Sequence, residues 1–161
     1  MLHALAGVFC SAMPRRKRKV ACLSLPFQRQ FAEDHEGEYF DLRAIFERLN
    51  AKYFSNSLRR YRVIWGRRRR LRPKSYFVFA SIQEEDRLIR VHPLLDASFV
   101  PRWFMEYVLY HEMLHAVIPD EFDRNGRRLV HSDRFKAKER EFPAYRRARR
   151  WEMENLGRFL R

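Results

Sequence analysis

Within five consecutive residues the chain places His111, Glu112 and His115. Histidines four apart on a helix are separated by only about 40° around its axis, so both imidazoles reach one metal ion. A carboxylate beside that ion takes a proton from metal-activated water and returns it to a leaving group. His-Glu-x-x-His is the arrangement of zinc hydrolases, with His111 and His115 as ligands and Glu112 as the catalytic residue. The surrounding segment, PRWFMEYVLYHEMLHAVI at residues 101–118, is apolar almost all the way round and reads as a central buried helix. An ionised carboxylate in such a helix is expensive without a partner, and a metal site offsets that cost.

A catalytic zinc takes three protein ligands and keeps one position open. The metzincin continuation requires glycine at position 118 and histidine at 121, where this chain has Ile118 and Glu121. A glutamate ligand from the next helix, as in thermolysin-like sites, is available at Glu139 or Glu141, with Asp133 a further option. His131 is the better candidate, being the only histidine downstream of His115. The turn signal Asn125-Gly126 between them lets the chain reverse and return His131 to the metal. A fourth protein ligand from Asp120, Asp123 or Glu139 would instead close the site and make the zinc structural. Tyr107 and Tyr110 flank the motif and read as packing residues. His92, before Pro93, reads as structural, and Trp65 as a core residue of the sheet.

The elements that must position these groups follow from periodicity. Phe40, Ile45, Phe46, Leu49 and Tyr53 recur at helical spacing over residues 39–54, with Asp41 in the first turn where its charge suits the helix dipole. Three short segments rich in β-branched and aromatic residues, at 61–65, 76–82 and 88–91, read as an antiparallel sheet. Their connections are the arginine-rich RRRRLRPKS and the tight polar turn QEEDR. Pro101 suits the first turn of the metal-bearing helix, which stops before Pro119. A further helix is expected from about His131 to before Pro143, and a last one over about 144–159. The fold class is therefore α+β, a compact zincin-like domain with an N-terminal helix, a three-stranded mainly antiparallel sheet, the HExxH helix and C-terminal helices. Residues 1–38 read as a flexible basic arm, and 39–161 as the metalloprotease domain.

The 161 residues carry 34 Lys+Arg against 20 Asp+Glu, a net charge of +14, with 46% hydrophobic and 15% aromatic residues. That composition belongs to a globular domain and excludes collagenous or low-complexity chains. No apolar run reaches the roughly 20 residues of a membrane span, so no membrane partner is expected. Two cysteines, Cys10 and Cys22, exclude a disulfide scaffold and a four-cysteine zinc module, and point to a reducing intracellular compartment. The positive charge is clustered at Arg15, Arg16, Lys17, Arg18 and Lys19, at Arg67, Arg68, Arg69 and Arg70, and at Arg146, Arg147, Arg149 and Arg150. Such runs are the electrostatic footprint of a polyanion partner, with DNA the obvious one. The string PRRKRKV at 14–20 is of the nuclear-localisation type, so the expected compartment is nuclear in a eukaryote and cytoplasmic in a bacterium.

From residue 39 to 142 the sequence resembles the SprT-like zinc metalloproteases, the family of the DNA-protein crosslink protease Spartan. The resemblance rests on LNAKYF in the first helix, Ile64-Trp65, the run Val91-His92-Pro93-Leu94-Leu95, HEMLHA, and His-x-x-x-Phe at His131 and Phe135. It implies His111, His115 and His131 as zinc ligands and Glu112 as the catalytic residue of a metalloendopeptidase. For part of the family it also implies DNA-associated protein substrates. Two departures stand out: Val130 occupies a position where members often have glycine, and the four-cysteine ribbon of many members has no counterpart here. DNA binding would then fall to the basic segments. The expected function is zinc-dependent peptide-bond hydrolysis on a polypeptide substrate; the alternative is a non-catalytic nucleic-acid-binding protein with structural zinc.

Overall fold

The computed structural model describes residues 35–67 and 76–160. The basic arm with Arg15 to Lys19, and Arg68, Arg69 and Arg70, lie outside the described residues.

Helix α1 spans Leu42–Tyr53. Asp41 is its N-cap rather than part of its first turn, and its carboxylate accepts the backbone N–H groups of Arg43 and Ala44 at 2.9 and 3.1 Å. Of the predicted apolar face, Ile45, Phe46 and Leu49 are buried in the core together with Leu42, while Phe40 and Tyr53 are half-buried against it. The helix ends where Ser55 and Asn56 turn into the left-handed region, and the buried Asn50 side chain accepts the N–H of Leu58 at 3.2 Å.

Strands β1 (Arg62–Trp65), β2 (Ala80–Gln83) and β3 (Leu88–Val91) form one sheet in the order β1-β3-β2. β2 and β3 are an antiparallel hairpin, as the short polar turn between them requires. β1, however, pairs with β3 in parallel, which corrects the expected mainly antiparallel sheet. The reason lies in length. The connection leaving β1 is long enough to cross over and deliver β2 to the far side, so β3 folds back between them. Being central, β3 is also the most buried strand, with Ile89 and Val91 fully covered.

A 3₁₀ turn at Pro93–Leu95 leads to Asp96, whose carboxylate accepts the backbone N–H groups of Glu38, Tyr39 and Phe40 at 2.6, 2.9 and 3.2 Å. This clamp holds residues before α1 against the body. Gly37 is required by the close approach: a Cβ there would stand 2.5 Å from Asp96 Oδ2.

Helix α2, Arg102–His115, buries Phe104, Met105, Val108, Leu109, Met113 and Leu114, and packs against β2, α1 and the two helices that follow. A two-residue ribbon, β4 (Glu121–Phe122) paired with β5 (Arg128–Leu129), reverses at Gly126, whose φ of 75° suits glycine. Helices α3 (Asp133–Arg140) and α4 (Tyr145–Asn155) complete the fold, α4 running into a 3₁₀ turn at Leu156–Arg158. Among the described residues, four helices, a three-stranded sheet and a two-stranded ribbon make a mixed α+β architecture. No helix among the described residues is long and apolar enough to cross a membrane.

Candidate metal centre

His111 and His115 stand one turn apart at the C-terminal end of α2, and the ribbon brings His131 over them. His131 Nε2 lies 3.2 Å from His111 Nε2 and 3.2 Å from His115 Nε2. All three ligand atoms fall within 4.8 Å of one another. Two nitrogens each ~2.05 Å from a tetrahedral zinc are separated by about 3.3 Å, so the spacing fits the ion. Lone pairs aimed at one another across such distances repel unless a cation or proton sits between them.

The imidazoles are oriented from behind. Glu139 Oε1 lies 2.7 Å from His111 Nδ1 and also accepts the Tyr107 hydroxyl at 2.7 Å. A carboxylate only accepts, so His111 carries its proton on Nδ1 and keeps the Nε2 lone pair for a metal. Glu139, considered from sequence as a ligand, is instead the partner that orients the His111 ring. Phe135, fully buried in α3, packs its ring 5.1, 4.4 and 4.8 Å from the rings of His111, His115 and His131. The spacing from His131 to Phe135 therefore has a physical purpose, a hydrophobic floor under all three ligands.

His131 precedes α3 by two residues instead of opening it, because Ser132 is the N-cap. The buried Ser132 hydroxyl accepts the N–H of Phe135 at 3.3 Å and donates to Glu121 Oε1 at 2.8 Å. One side chain thereby ties the ribbon to the helix on either side of the third histidine. The serine before Asp133 is a readable cap signal, but its bond to Glu121 has no sequence signature.

Burial tunes the titrating groups. Glu112 is only 8% exposed, and loss of solvation pushes its pKa up to about 7, partly opposed by His111. Burial and the neighbouring His111 and His131 push the His115 pKa down to about 4. His131 is lowered too, first by burial and then by His111. Both rings therefore stay neutral and able to bind metal at neutral pH. Burial alone would raise Glu139, but the hydrogen bonds from His111 and Tyr107 outweigh it and leave its pKa below the ordinary value.

The other acidic candidates are engaged elsewhere. Asp120 Oδ2 pairs with Arg128 Nε at 2.6 Å, and Asp123 accepts backbone N–H groups of Asn125 and Arg127 in the ribbon turn. Glu141 pairs with Lys138, while Asp133 is fully exposed beside Lys136. Among the described residues the convergent ligand set is three histidines. Tyr107 and Tyr110 are buried, their hydroxyls committed to Glu139 and to the carbonyl of Lys138. His92 caps the 3₁₀ turn through its Nδ1, and Trp65 packs against the core at the end of β1.

Of the basic groups, Arg67 is exposed at the end of the segment after β1. The α4 run divides: Arg147 lies over the Trp103 ring at 4.2 Å, and Arg149 bonds Glu152 at 2.5 Å beside the metal centre. The SprT-like family model matches residues 42–150, more than half of the chain, and takes in the whole histidine cluster. No curated protein and no solved structure matches the chain.

Proposed function

The chain belongs to the SprT-like family, and from that premise we propose that it is a zinc-dependent endopeptidase of the zincin type, with His111, His115 and His131 as metal ligands and Glu112 as general base. The observation that carries this reading is the convergence of three imidazole nitrogens beside a buried carboxyl group, with no acidic side chain among the described residues completing the set. Three neutral imidazoles suit zinc, and an open fourth position is the mark of a catalytic site. When bound there, zinc supplies Lewis-acid polarisation of a carbonyl and lowers the pKa of water.

The chain's own residues do the rest. Glu112, next to a ligand on the same helix, accepts a proton from the attacking water and passes it to the leaving amine. The pair Tyr107 and Glu139 holds His111 in the tautomer that leaves Nε2 free. Among the described residues β2 is an edge strand of the sheet, and it packs on α2, so an extended polypeptide pairing with it through main-chain hydrogen bonds would lie along the metal-bearing helix. Such pairing imposes little sequence preference.

The net charge of +14 and exposed Arg67 support a polyanion partner. On that basis DNA-associated proteins are the proposed substrates. The rival reading, a structural zinc, needs a fourth protein ligand, and Asp120, Asp123 and Glu139 are each occupied by other contacts. The test is cleavage of an unfolded protein by the zinc-loaded chain. Chelation should abolish cleavage and added zinc should restore it; zinc binding without cleavage under any condition would favour the structural reading.

A further inference from the structure

A cavity of about 250 Å³ adjoins the centre, with His111 and Glu112 in its wall. Six of its eleven lining residues are apolar: Phe77, Val78 and Phe79 from the segment entering β2, Ala80 of β2, and Phe104 and Val108 of α2. Apart from Glu112, the polar groups in its wall are bonded to one another or to Glu139. The Tyr107 hydroxyl is bonded to Glu139, and Arg149 is paired with Glu152. An acidic group entering this space would meet the Glu112 carboxyl and find the Arg149 guanidinium already paired, and a basic group would have to pair with the residue proposed as the base. An uncharged apolar side chain would exchange water for aromatic and aliphatic walls at a gain that grows with its buried area.

The cavity is also placed to read one side chain of a strand. Ala80 belongs to the edge strand β2, and side chains of a peptide paired with an edge alternate between the two faces. With Ala80 in the cavity wall, a peptide laid along β2 would present one of its alternating side chains to the cavity, beside His111 and Glu112. We propose that this cavity is the specificity pocket of the enzyme and selects a large apolar residue, of leucine, methionine or phenylalanine type, adjacent to the bond that is cut. The inference rests on the peptidase reading for its biological meaning. It adds a selection rule to an otherwise sequence-tolerant backbone interaction and directs the enzyme to apolar segments that folded proteins keep buried.

Two measurements on the zinc-loaded full chain test it. In the first, a peptide mixture randomised around one position is cleaved and the cut sites are read by mass spectrometry. Wild type should favour leucine, methionine or phenylalanine over glycine and aspartate by at least about tenfold. Ala80→Phe, which fills the cavity, should erase that preference, and Val108→Ala, which enlarges it, should shift preference toward tryptophan. In the second, calorimetry compares leucine hydroxamate with glycine hydroxamate, which bind the metal without turnover. The leucyl compound should bind at least about tenfold tighter, and Ala80→Phe should remove the difference. A leucyl advantage without any peptide cleavage would uphold the pocket and overturn the peptidase reading. Cleavage without side-chain preference, or equal binding of the two hydroxamates, would overturn the pocket, and with Val108→Ala as a second variant this holds even where Ala80→Phe does not fold.

Discussion

Glu112 and His115 pull the stability of the metal-free protein in opposite directions as pH changes. The Glu112 pKa of about 7 lies above its ordinary 4.5, so the folded state favours its protonated form. Its contribution is present in full below about pH 4.5 and is lost as pH rises through 7. The His115 pKa of about 4 lies below its ordinary 6.5, so its contribution is present above pH 6.5 and lost as pH falls through 4. His131, also lowered, acts in the same sense as His115. Glu112→Gln removes the opposing carboxyl, and the metal-free variant should therefore gain stability from pH 4.5 to 6.5 more steeply than wild type, by on the order of 2 kcal/mol. Urea unfolding at the two pH values checks this, and equal slopes would mean that Glu112 is solvated as an ordinary carboxylate. Glu139 and His131 are separated by a metal titration against a chromophoric chelator. Glu139→Ala leaves the three ligands but frees the His111 ring, so affinity should fall about 10- to 100-fold; His131→Ala removes a ligand and should cost more. At this scale the sequence was most legible where residues four apart on a helix bring two imidazoles together. That Glu139 orients a ligand could not be read, because its distance to His111 depends on how α3 packs on α2.

Helices were legible as elements because burial imprints a period on them; the short strands were not legible as a topology. Segments 62–65 and 88–91 carry similar apolar runs, and nothing in either run says that they lie side by side in parallel. That neighbourhood is decided by the long excursion between β1 and β2. The β4 and β5 residues are exposed, so no buried face patterns them and only the Asn125-Gly126 turn announced the reversal. Ser132 is where this small ribbon meets the histidine cluster. Ser132→Ala loses an N-cap worth about 1 kcal/mol and also the bond to Glu121. Thermal unfolding should shift down, and zinc affinity should fall as well because His131 is no longer held from both sides. Gly37→Ala provides the contrast. It drives a Cβ into the Asp96 carboxylate and disturbs the clamp on residues 38–40, so stability should drop by roughly 1 to 3 kcal/mol while zinc affinity stays unchanged. A fall in zinc affinity in both variants would mean that the clamp and the centre form one cooperative unit.

For the whole molecule, the charge of +14 was plain in the sequence, but its deployment was not. The run in α4 reads as one basic strip, yet Arg147 covers Trp103 and Arg149 faces Glu152 at the cavity, so these two side chains are drawn toward the body. The proposed DNA contact is therefore assigned to Arg67 to Arg70 and to Arg15 to Lys19. Affinity for DNA should fall steeply between about 50 and 200 mM salt, and replacing Arg67, Arg68, Arg69 and Arg70 by alanine should reduce both affinity and the salt slope. An affinity indifferent to salt would remove nucleic acid from the mechanism. The central claim, that the three-histidine centre with Glu112 is a hydrolytic one, is tested most directly by measuring zinc content and peptide cleavage together on wild type and Glu112→Gln. Both proteins should hold about one zinc per chain, and only wild type should cleave. A variant that keeps its zinc and cleaves as fast as wild type would contradict the account.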